Sequence, residues 1–363
     1  MKRIAIVIGD IKYGGAERVS VYLANYFNRK GIEVSLISYH SNSSNYKLDN
    51  IRHLSLNRDT RYKNSITRFI SLVRDLRNCL LQEKPDIVLG MMSYNGVAAS
   101  LALLGTKIPV VTSERNDPSS TTARTSFEKA FIKFTFNFLT KGLVFQTKEA
   151  QKYYSKRVQK KSVIIPNPIF GSELIDVKRP VEPTKRIISV GRLVDQKNFK
   201  MLILAFKEFL YMYPDYFLDI FGEGEKRKEL EELISANELS GKVNLRGNTN
   251  KIFEELQKSD LFVLSSNYEG MPNALIEAMA MGLPVISTDC NGGGARFLIE
   301  DGINGLLIPA GDQASLVHAM RKIVDDRDFS ERLGRNALNI RERLDGTTIC
   351  QEWERNLFMW SGN

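Results

Sequence analysis

Two carboxylates, Glu269 and Glu277, stand eight positions apart in the stretch N-Y-E-G-M-P-N-A-L-I-E-A-M-A-M-G-L-P-V-I-S-T (267–288). From Ala274 to Met281 every residue except Glu277 is Ala, Leu, Ile or Met. Such a segment reads as a buried helix, where an acid is costly unless something pairs with it. A carboxylate only accepts hydrogen bonds, so it suits two ligand hydroxyls, as a ribose offers; a core salt bridge is the other reading of Glu277. Glu269 falls in the loop after the strand-like D-L-F-V-L-S-S (260–266) and reads as a ligand-facing or a solvated acid. Arg192 and Lys197 lie in S-V-G-R-L-V-D-Q-K-N (189–198). Two cations there could clamp a diphosphate, Arg by its planar fork and Lys as a point charge; alone they read equally as surface charges. Gly14-Gly15 precede a helical pattern and would let backbone N–H groups meet an anion, or simply form a tight turn. The run is not G-x-G-x-x-G, so the dinucleotide fingerprint is missing.

These residues need strands and helices to hold them. Strand patterns in the first half cover Arg3–Ile8, Ile32–Ser38, Ile51–Leu56, Asp86–Gly90, Pro109–Ser113, Gly142–Gln146 and Ser162–Ile165. Helical periods over Ala16–Arg29 and Ser65–Gln82 lie between some of them. A proline-rich stretch without period, 167–184, reads as a linker. A second series follows, with strands Arg186–Val190, Phe217–Phe221, Val243–Arg246, Leu261–Ser265 and Pro284–Thr288 and helices Phe199–Tyr211, Glu225–Ala236, Ile252–Lys258 and Pro272–Met281. The expected fold class is therefore α/β, two Rossmann-like doubly wound domains, residues 1–166 and 185–345, with a last helix at about 346–363 packed back on the first. Ligands of such sheets bind beyond the carboxyl ends of the strands, so the expected site is a cleft between the domains.

The totals narrow the choices. No apolar run reaches the length of a membrane span, and the apolar start ends at Gly9-Asp10 without a cleavage signal, so it reads as a first strand. Three distant cysteines, Cys79, Cys290 and Cys350, suit buried thiols in a reducing compartment. The net charge of +9 is uneven. Residues 1–166 hold 27 Lys/Arg and 12 Asp/Glu, a surplus of +15; residues 167–363 hold 24 and 30, a deficit of −6. An anionic partner is expected for the first half only, with a solvated basic face as the alternative.

The combination E-G-M-P-N-A-L-I-E-A-M-A-M-G-L-P-V-I-S-T resembles the E-x7-E signature of retaining glycosyltransferase family 4. G-G-A-E-R, G-R-L-V-D-Q-K-N, F-G-E-G-E-K-R-K-E-L, V-N-L-R-G-N and D-G-I-N-G-L-L-I-P stand in that family's order around it. The match looks closest to the branch that builds bacterial surface polysaccharides, such as O-antigen and capsule, on a lipid diphosphate. The resemblance implies the GT-B fold and roles for particular residues. Arg192 and Lys197 would hold the donor diphosphate, Glu277 the ribose, and Glu269 the transferred sugar. Backbone near Met271 and Asn273 would meet the donor, Gly14 and Gly15 would let the first domain approach it, and Arg246 would lie near the base. In V-V-T-S-E-R-N-D (110–117), Arg115 follows Glu114 where many relatives carry a His that touches the sugar. Arg115 cannot serve as a base but could steady phosphate or a hydroxyl; Glu114 and Asn116 are expected on the acceptor side. The loop C-N-G-G-G-A-R-F-L-I (290–299) departs from the commoner G-G-x-x-E form.

The expected reaction moves a hexose or N-acetylhexosamine from a nucleotide sugar, UDP-linked, with retention, to a polyprenyl-diphosphate glycan. No metal or other cofactor is expected: cations take the leaving-group charge, and the sole D-x-D, Asp326 to Asp328, lies in a late charged segment. Residues 125–143 mix five phenylalanines with Lys129, Lys133 and Lys141. They read either as a core helix or as a contact with an anionic membrane, which would put the enzyme on the cytoplasmic face of the cell membrane as a peripheral protein. Two rivals remain: a nucleotide-sugar 2-epimerase of the same fold, which needs no acceptor, and a nucleic-acid- or glycan-binding module using the basic face. No nucleic-acid partner is expected.

Overall fold

The computed structural model describes every residue except 12–13, 41–45, 57–64, 120–124, 170–173, 175, 178–179, 181 and 363. The chain divides into two compact units, Met1–Pro168 with Gly346–Asn363 (unit 1) and Ile169–Asp345 (unit 2). Much of the proline-rich stretch expected as a linker lies outside the described residues.

Unit 1 is built on seven parallel strands, β1 (Arg3–Ile8), β2 (Glu33–Ser38), β3 (Arg52–Ser55), β4 (Ile87–Met91), β5 (Val110–Ser113), β6 (Gly142–Phe145) and β7 (Ser162–Ile164), in the order β3-β2-β1-β4-β5-β6-β7. The order reverses between β1 and β4, which makes their carboxyl ends the switch point where such sheets bind ligands. β4 is buried throughout and β1 beyond its first residue, as their continuous apolar runs require of strands covered on both faces. The helices are α1 (Gly15–Arg29), α2 (Ser65–Glu83), α3 (Ser93–Ala102), α4 (Ser126–Phe138), α5 (Lys148–Lys152) and α6 (Lys156–Lys160).

Unit 2 has six parallel strands, β8 (Arg186–Val190), β9 (Phe217–Phe221), β10 (Val243–Gly247), β11 (Leu261–Leu264), β12 (Val285–Asp289) and β13 (Leu306–Pro309), in the order β10-β9-β8-β11-β12-β13. Its helices are α7 (Phe199–Leu210), α8 (Arg227–Ala236), α9 (Ile252–Gln257), α10 (Asn273–Ala280), α11 (Gly294–Leu298), α12 (Gln313–Asp325), α13 (Arg327–Ala337) and α14 (Ile340–Arg343). Separate apolar cores fill the two sides of this sheet, one beneath α7 and α12 and the other around α10.

The last helix, α15 (Gly346–Ser361), returns to unit 1. Trp353 is wholly buried, and Trp360 lies so close to β6 that a Cβ on Gly142 would stand 2.3 Å from its ring. Tyr26 Oη of α1 donates to Glu354 Oε2 at 2.7 Å. Burying an indole of this size contributes about 3 kcal/mol.

Candidate active site

Lys197 is fixed by the way α7 starts. It ends a short 3-10 turn, Asp195–Lys197, and Asn198 then takes the left-handed conformation at φ 47° while its side chain accepts from the Met201 N–H. Asparagine tolerates that conformation and caps well. The turn is stitched to the loop after β11: Ser265 Oγ donates to the Lys197 carbonyl at 2.8 Å, and Gln196 Nε2 to the Tyr268 carbonyl at 2.9 Å. Lys197 Nζ consequently meets Glu269 Oε1 at 2.5 Å, and Ser266 Oγ donates to the same oxygen at 2.7 Å. Glu269 is only 6% exposed. Burial first, and the nearby Glu269 charge second, push the Cys290 thiol up to about 12.

The two acids therefore reverse the expected pattern of burial. The loop acid Glu269 is buried and paired, while Glu277 is half-buried. Helix geometry explains the correction. Leu275, Ile276, Ala278, Met279 and Ala280 turn into the core, whereas Asn273, Ala274 and Glu277 are half-buried on another face. Positions i and i+4 lie one above the other, so Asn273 and Glu277 present a polar pair together. Pro272 caps α10 rather than opening it, and Met271 beside it is buried.

The glycine run 292–294 has a packing reason. A Cβ on Gly294 would stand 1.8 Å from the Gly270 carbonyl oxygen, so only glycine lets the loop after β12 lie against the Glu269 loop. Arg296, in α11, pairs with Asp289 at 2.7 Å.

Arg192 follows β8 and is exposed; among the described residues its guanidinium holds no ion pair. The structure brings Lys197 and Glu269 together but ties Arg246 elsewhere. Arg246 Nε donates at 2.9 Å to Asp219 Oδ1, which also accepts from Asn244 Nδ2 at 2.9 Å, while Asp219 Oδ2 takes Arg186 Nε at 2.8 Å. Sequence reasoning passed over the wholly buried Asp219, though an acid inside F-L-D-I-F (217–221) was the signal.

In unit 1 the carboxyl ends of β1, β5, β6 and β7 carry Gly14, Arg115, Gln146 and Asn167. Gly14 holds φ 152° and ψ 161°, a region glycine alone enters readily. Glu17 folds back over it, its Oε2 lying 2.1 Å from where a Cβ would be. Arg115 is 8% exposed. Its Nη2 donates to Asn167 Oδ1, which also accepts from Gln146 Nε2 at 2.5 Å. Its Nε and Nη1 are buried without a hydrogen-bond partner. Burial pushes the Arg115 guanidinium down to about 9, and the Glu17 charge works against that shift. Glu114 is also buried and accepts from Tyr154 Oη at 3.1 Å. Asn116 Oδ1 accepts from the Asp117 N–H at 3.0 Å, within its own turn. Gly15 opens α1.

Asp326 caps α13, its side chain accepting from the Phe329 N–H. Among the described residues no group of three or more His, Cys, Asp or Glu could hold a metal ion.

Comparison with known proteins adds the family. Residues 172–340 match the model for glycosyl transferases group 1, and residues 13–170 match the model for glycosyltransferase family 4. A Campylobacter jejuni relative is 28% identical, covering 97% of each chain. It is named as the alpha-1,4-N-acetyl-D-galactosaminyltransferase of GalNAc-alpha-(1->4)-GalNAc-alpha-(1->3)-diNAcBac-PP-undecaprenol. The lipopolysaccharide core biosynthesis glycosyltransferase LpsE of Rhizobium meliloti is 26% identical over 89% of each chain. Among solved structures, Anabaena HepE in complex with UDP and glucose superposes with a TM-score of 0.82 at 18% identity, over 98% of this chain and 99% of that one. The two family models together span nearly the whole sequence, on a GT-B fold of two parallel-sheet units, and the chain belongs to glycosyltransferase family 4.

Proposed function

We propose that this glycosyltransferase moves a hexose or N-acetylhexosamine from a UDP-sugar, with retention and without a metal, to a polyprenyl-diphosphate-linked glycan in surface polysaccharide synthesis. The observation that carries the reading is the constellation at the carboxyl end of the unit 2 sheet. There the Lys197–Glu269 pair, the exposed Arg192 and the half-buried Asn273–Glu277 face follow the neighbouring strands β8 and β11. Glu277 accepts from the ribose hydroxyls, Glu269 from the transferred sugar, and Arg192 with Lys197 takes the charge of the departing diphosphate. As the bond from the anomeric carbon to the diphosphate breaks, UDP leaves with the bonding pair, the acceptor hydroxyl oxygen bonds to that carbon, and the hydroxyl proton passes to the departing diphosphate oxygen. Fixed cations are worth about 10²–10³ in rate at such a step. The lipid-linked acceptors named for the Campylobacter relative support the acceptor class.

The acceptor's lipid implies a membrane surface. α4 turns Ile132, Thr135 and Phe136 inward and leaves Phe127, Phe134 and Phe138 exposed, Phe127 at 79%. Phe127 stacks on Phe131, so the aromatics form a stripe on one face. Arg157 stands over the Phe138 ring at 4.8 Å, and Lys129, Lys133 and Lys141 belong to the same stretch of sequence. Each phenylalanine buried in lipid contributes about 1.5–3 kcal/mol, and the cations add attraction to anionic headgroups. No helix among the described residues is long and apolar enough to cross a membrane. On this reading the stripe and its cations hold the enzyme as a peripheral protein on the cytoplasmic face of the membrane.

A screen of nucleotide sugars against a synthetic polyprenyl-diphosphate glycan, read by product mass, tests the reading. One added sugar residue from a single UDP-sugar supports it. Epimerised donor without acceptor, or no reaction with any donor, counts against it.

A further inference from the structure

The turn from β4 into α3 holds a non-glycine residue in a conformation that only glycine adopts readily. Met92 has φ 72° and ψ 151°. Three bonds keep it there. Its N–H donates to the Ser113 carbonyl at 2.8 Å, its carbonyl accepts from the Gly96 N–H at 3.1 Å, and Asn95 Nδ2 donates to the Met91 carbonyl. A Cβ on Gly90 would stand 2.5 Å from Gly96 Cα, so α3 lies on β4 as closely as glycine permits. Backbone of this kind persists where its surroundings over-determine it, and it gathers at ligand sites. The turn presents Tyr94, which is 49% exposed, at the carboxyl end of β4. Tyr39, buried just after β2, meets the Tyr94 ring at a centroid distance of 6.4 Å and 74°, and Phe69 of α2 meets it at 5.6 Å and 58°. The strand order β2-β1-β4 puts the two tyrosines on either side of the end of β1, at the switch point. Neither neighbour stacks flat on Tyr94, so the ring is braced yet open. His40, which is exposed, packs edge-on against Tyr39 at 6.4 Å and adds a polar group beside it.

From this geometry we infer that Tyr94 is a stacking platform for one pyranose ring of the acceptor glycan, braced by Tyr39 and Phe69 and edged by His40. A pyranose has a face of C–H groups and a rim of hydroxyls. Its C–H hydrogens carry slight positive charge and meet the negative face of the aromatic ring, while the rim hydroxyls meet His40 and water. A prenyl chain has no such rim, and an aliphatic side chain at position 94 would serve it as well. The rigid turn matters because a ring fixed in advance loses little freedom when the sugar docks. Tyr94 orients the sugar and takes no part in bond breaking. The inference rests on the proposed transfer only for calling this sugar the acceptor's, since that reading gives the donor to unit 2.

Saturation-transfer NMR on the full chain, without donor, tests the platform with the methyl α-glycosides of N-acetylgalactosamine, N-acetylglucosamine, galactose and glucose. At least one glycoside should bind, with saturation strongest on the C–H hydrogens of one ring face. Tyr94→Phe and Tyr94→Trp should retain that binding. Tyr94→Leu keeps an apolar group against Phe69, so it should stay folded, and it should weaken binding about tenfold because the aromatic face is gone. A merely structural Tyr94 would not separate Leu from Phe in this way. No glycoside bound by the native chain, or equal binding by Tyr94→Leu, overturns the inference. Binding of citronellol, a short prenyl alcohol, in place of every glycoside makes the patch a lipid site and overturns it as well. In steady-state kinetics Tyr94→Leu should raise KM for the lipid-linked glycan and leave KM for the nucleotide sugar unchanged; a rise for the nucleotide sugar alone contradicts the acceptor assignment. Glycoside binding needs no donor, lipid or turnover, so failure of the proposed transfer reaction is distinguishable from failure of this platform.

Discussion

Lys197 Nζ lies 2.5 Å from Glu269 Oε1 although 72 positions separate the two residues, and both side chains are largely buried. The pair joins the turn before α7 to the loop after β11. Truncating one partner strands the other as a buried charge, a loss of about 3–5 kcal/mol. Lys197→Met should therefore lower the melting temperature sharply as well as turnover. Glu269→Gln keeps a hydrogen-bonding group beside Lys197 and should cost less stability while turnover still falls. Thermal unfolding and turnover measured on both variants check the asymmetry.

Arg192 contrasts with Lys197 because it is exposed and holds no ion pair among the described residues. Arg192→Gln should leave stability within about 0.5 kcal/mol of the native chain. If it takes leaving-group charge, kcat should fall about 10²–10³-fold. Denaturant midpoint and steady-state kinetics on one preparation separate the two effects.

Gly294→Ala places a methyl group 1.8 Å from the Gly270 carbonyl oxygen. The backbone must yield, and overpacking of this kind costs about 1–3 kcal/mol. Since Gly270 adjoins Glu269, turnover should fall along with stability. A reduced melting temperature with unchanged activity would detach this loop from the site.

The strands were legible in the sequence because parallel strands covered on both faces read as continuous apolar runs, as Arg3–Ile8 does. α3 was not, because its small residues are buried nearly all round and show little period. β13 and helices α12 to α14 lie beyond the point at which the alternating series was followed. In the site, residue types carried the reading but spatial relations did not. Apolar neighbours in sequence made Glu277 read as buried, although on a helix those neighbours point elsewhere. No sequence period announces the contact of Lys197 with Glu269, or the hold of Asp219 on Arg246.

pH gives a further check on Arg115, which burial holds down at about 9. Glu17 on α1 is the charged group that acts on it; Gln146 and Asn167 are neutral, and Glu114 accepts from Tyr154. Between about 9 and the ordinary arginine value the folded chain binds fewer protons than the unfolded one, so this group makes stability rise with pH there. Below that window both states are protonated and the cost of the buried charge is complete. The rise in stability above about pH 9, read as the difference in unfolding free energy between the native chain and Arg115→Gln, should be present only with Arg115.

The most direct measurement of the central claim, that the polar face of α10 holds the nucleotide sugar, compares the native chain with Glu277→Ala. Glu277 is half-buried and alanine favours helix, so the variant should stay folded with a nearly unchanged melting temperature. Product mass should show one sugar added to the lipid-linked acceptor by the native chain and none by the variant. Full turnover by a folded Glu277→Ala variant would contradict the account.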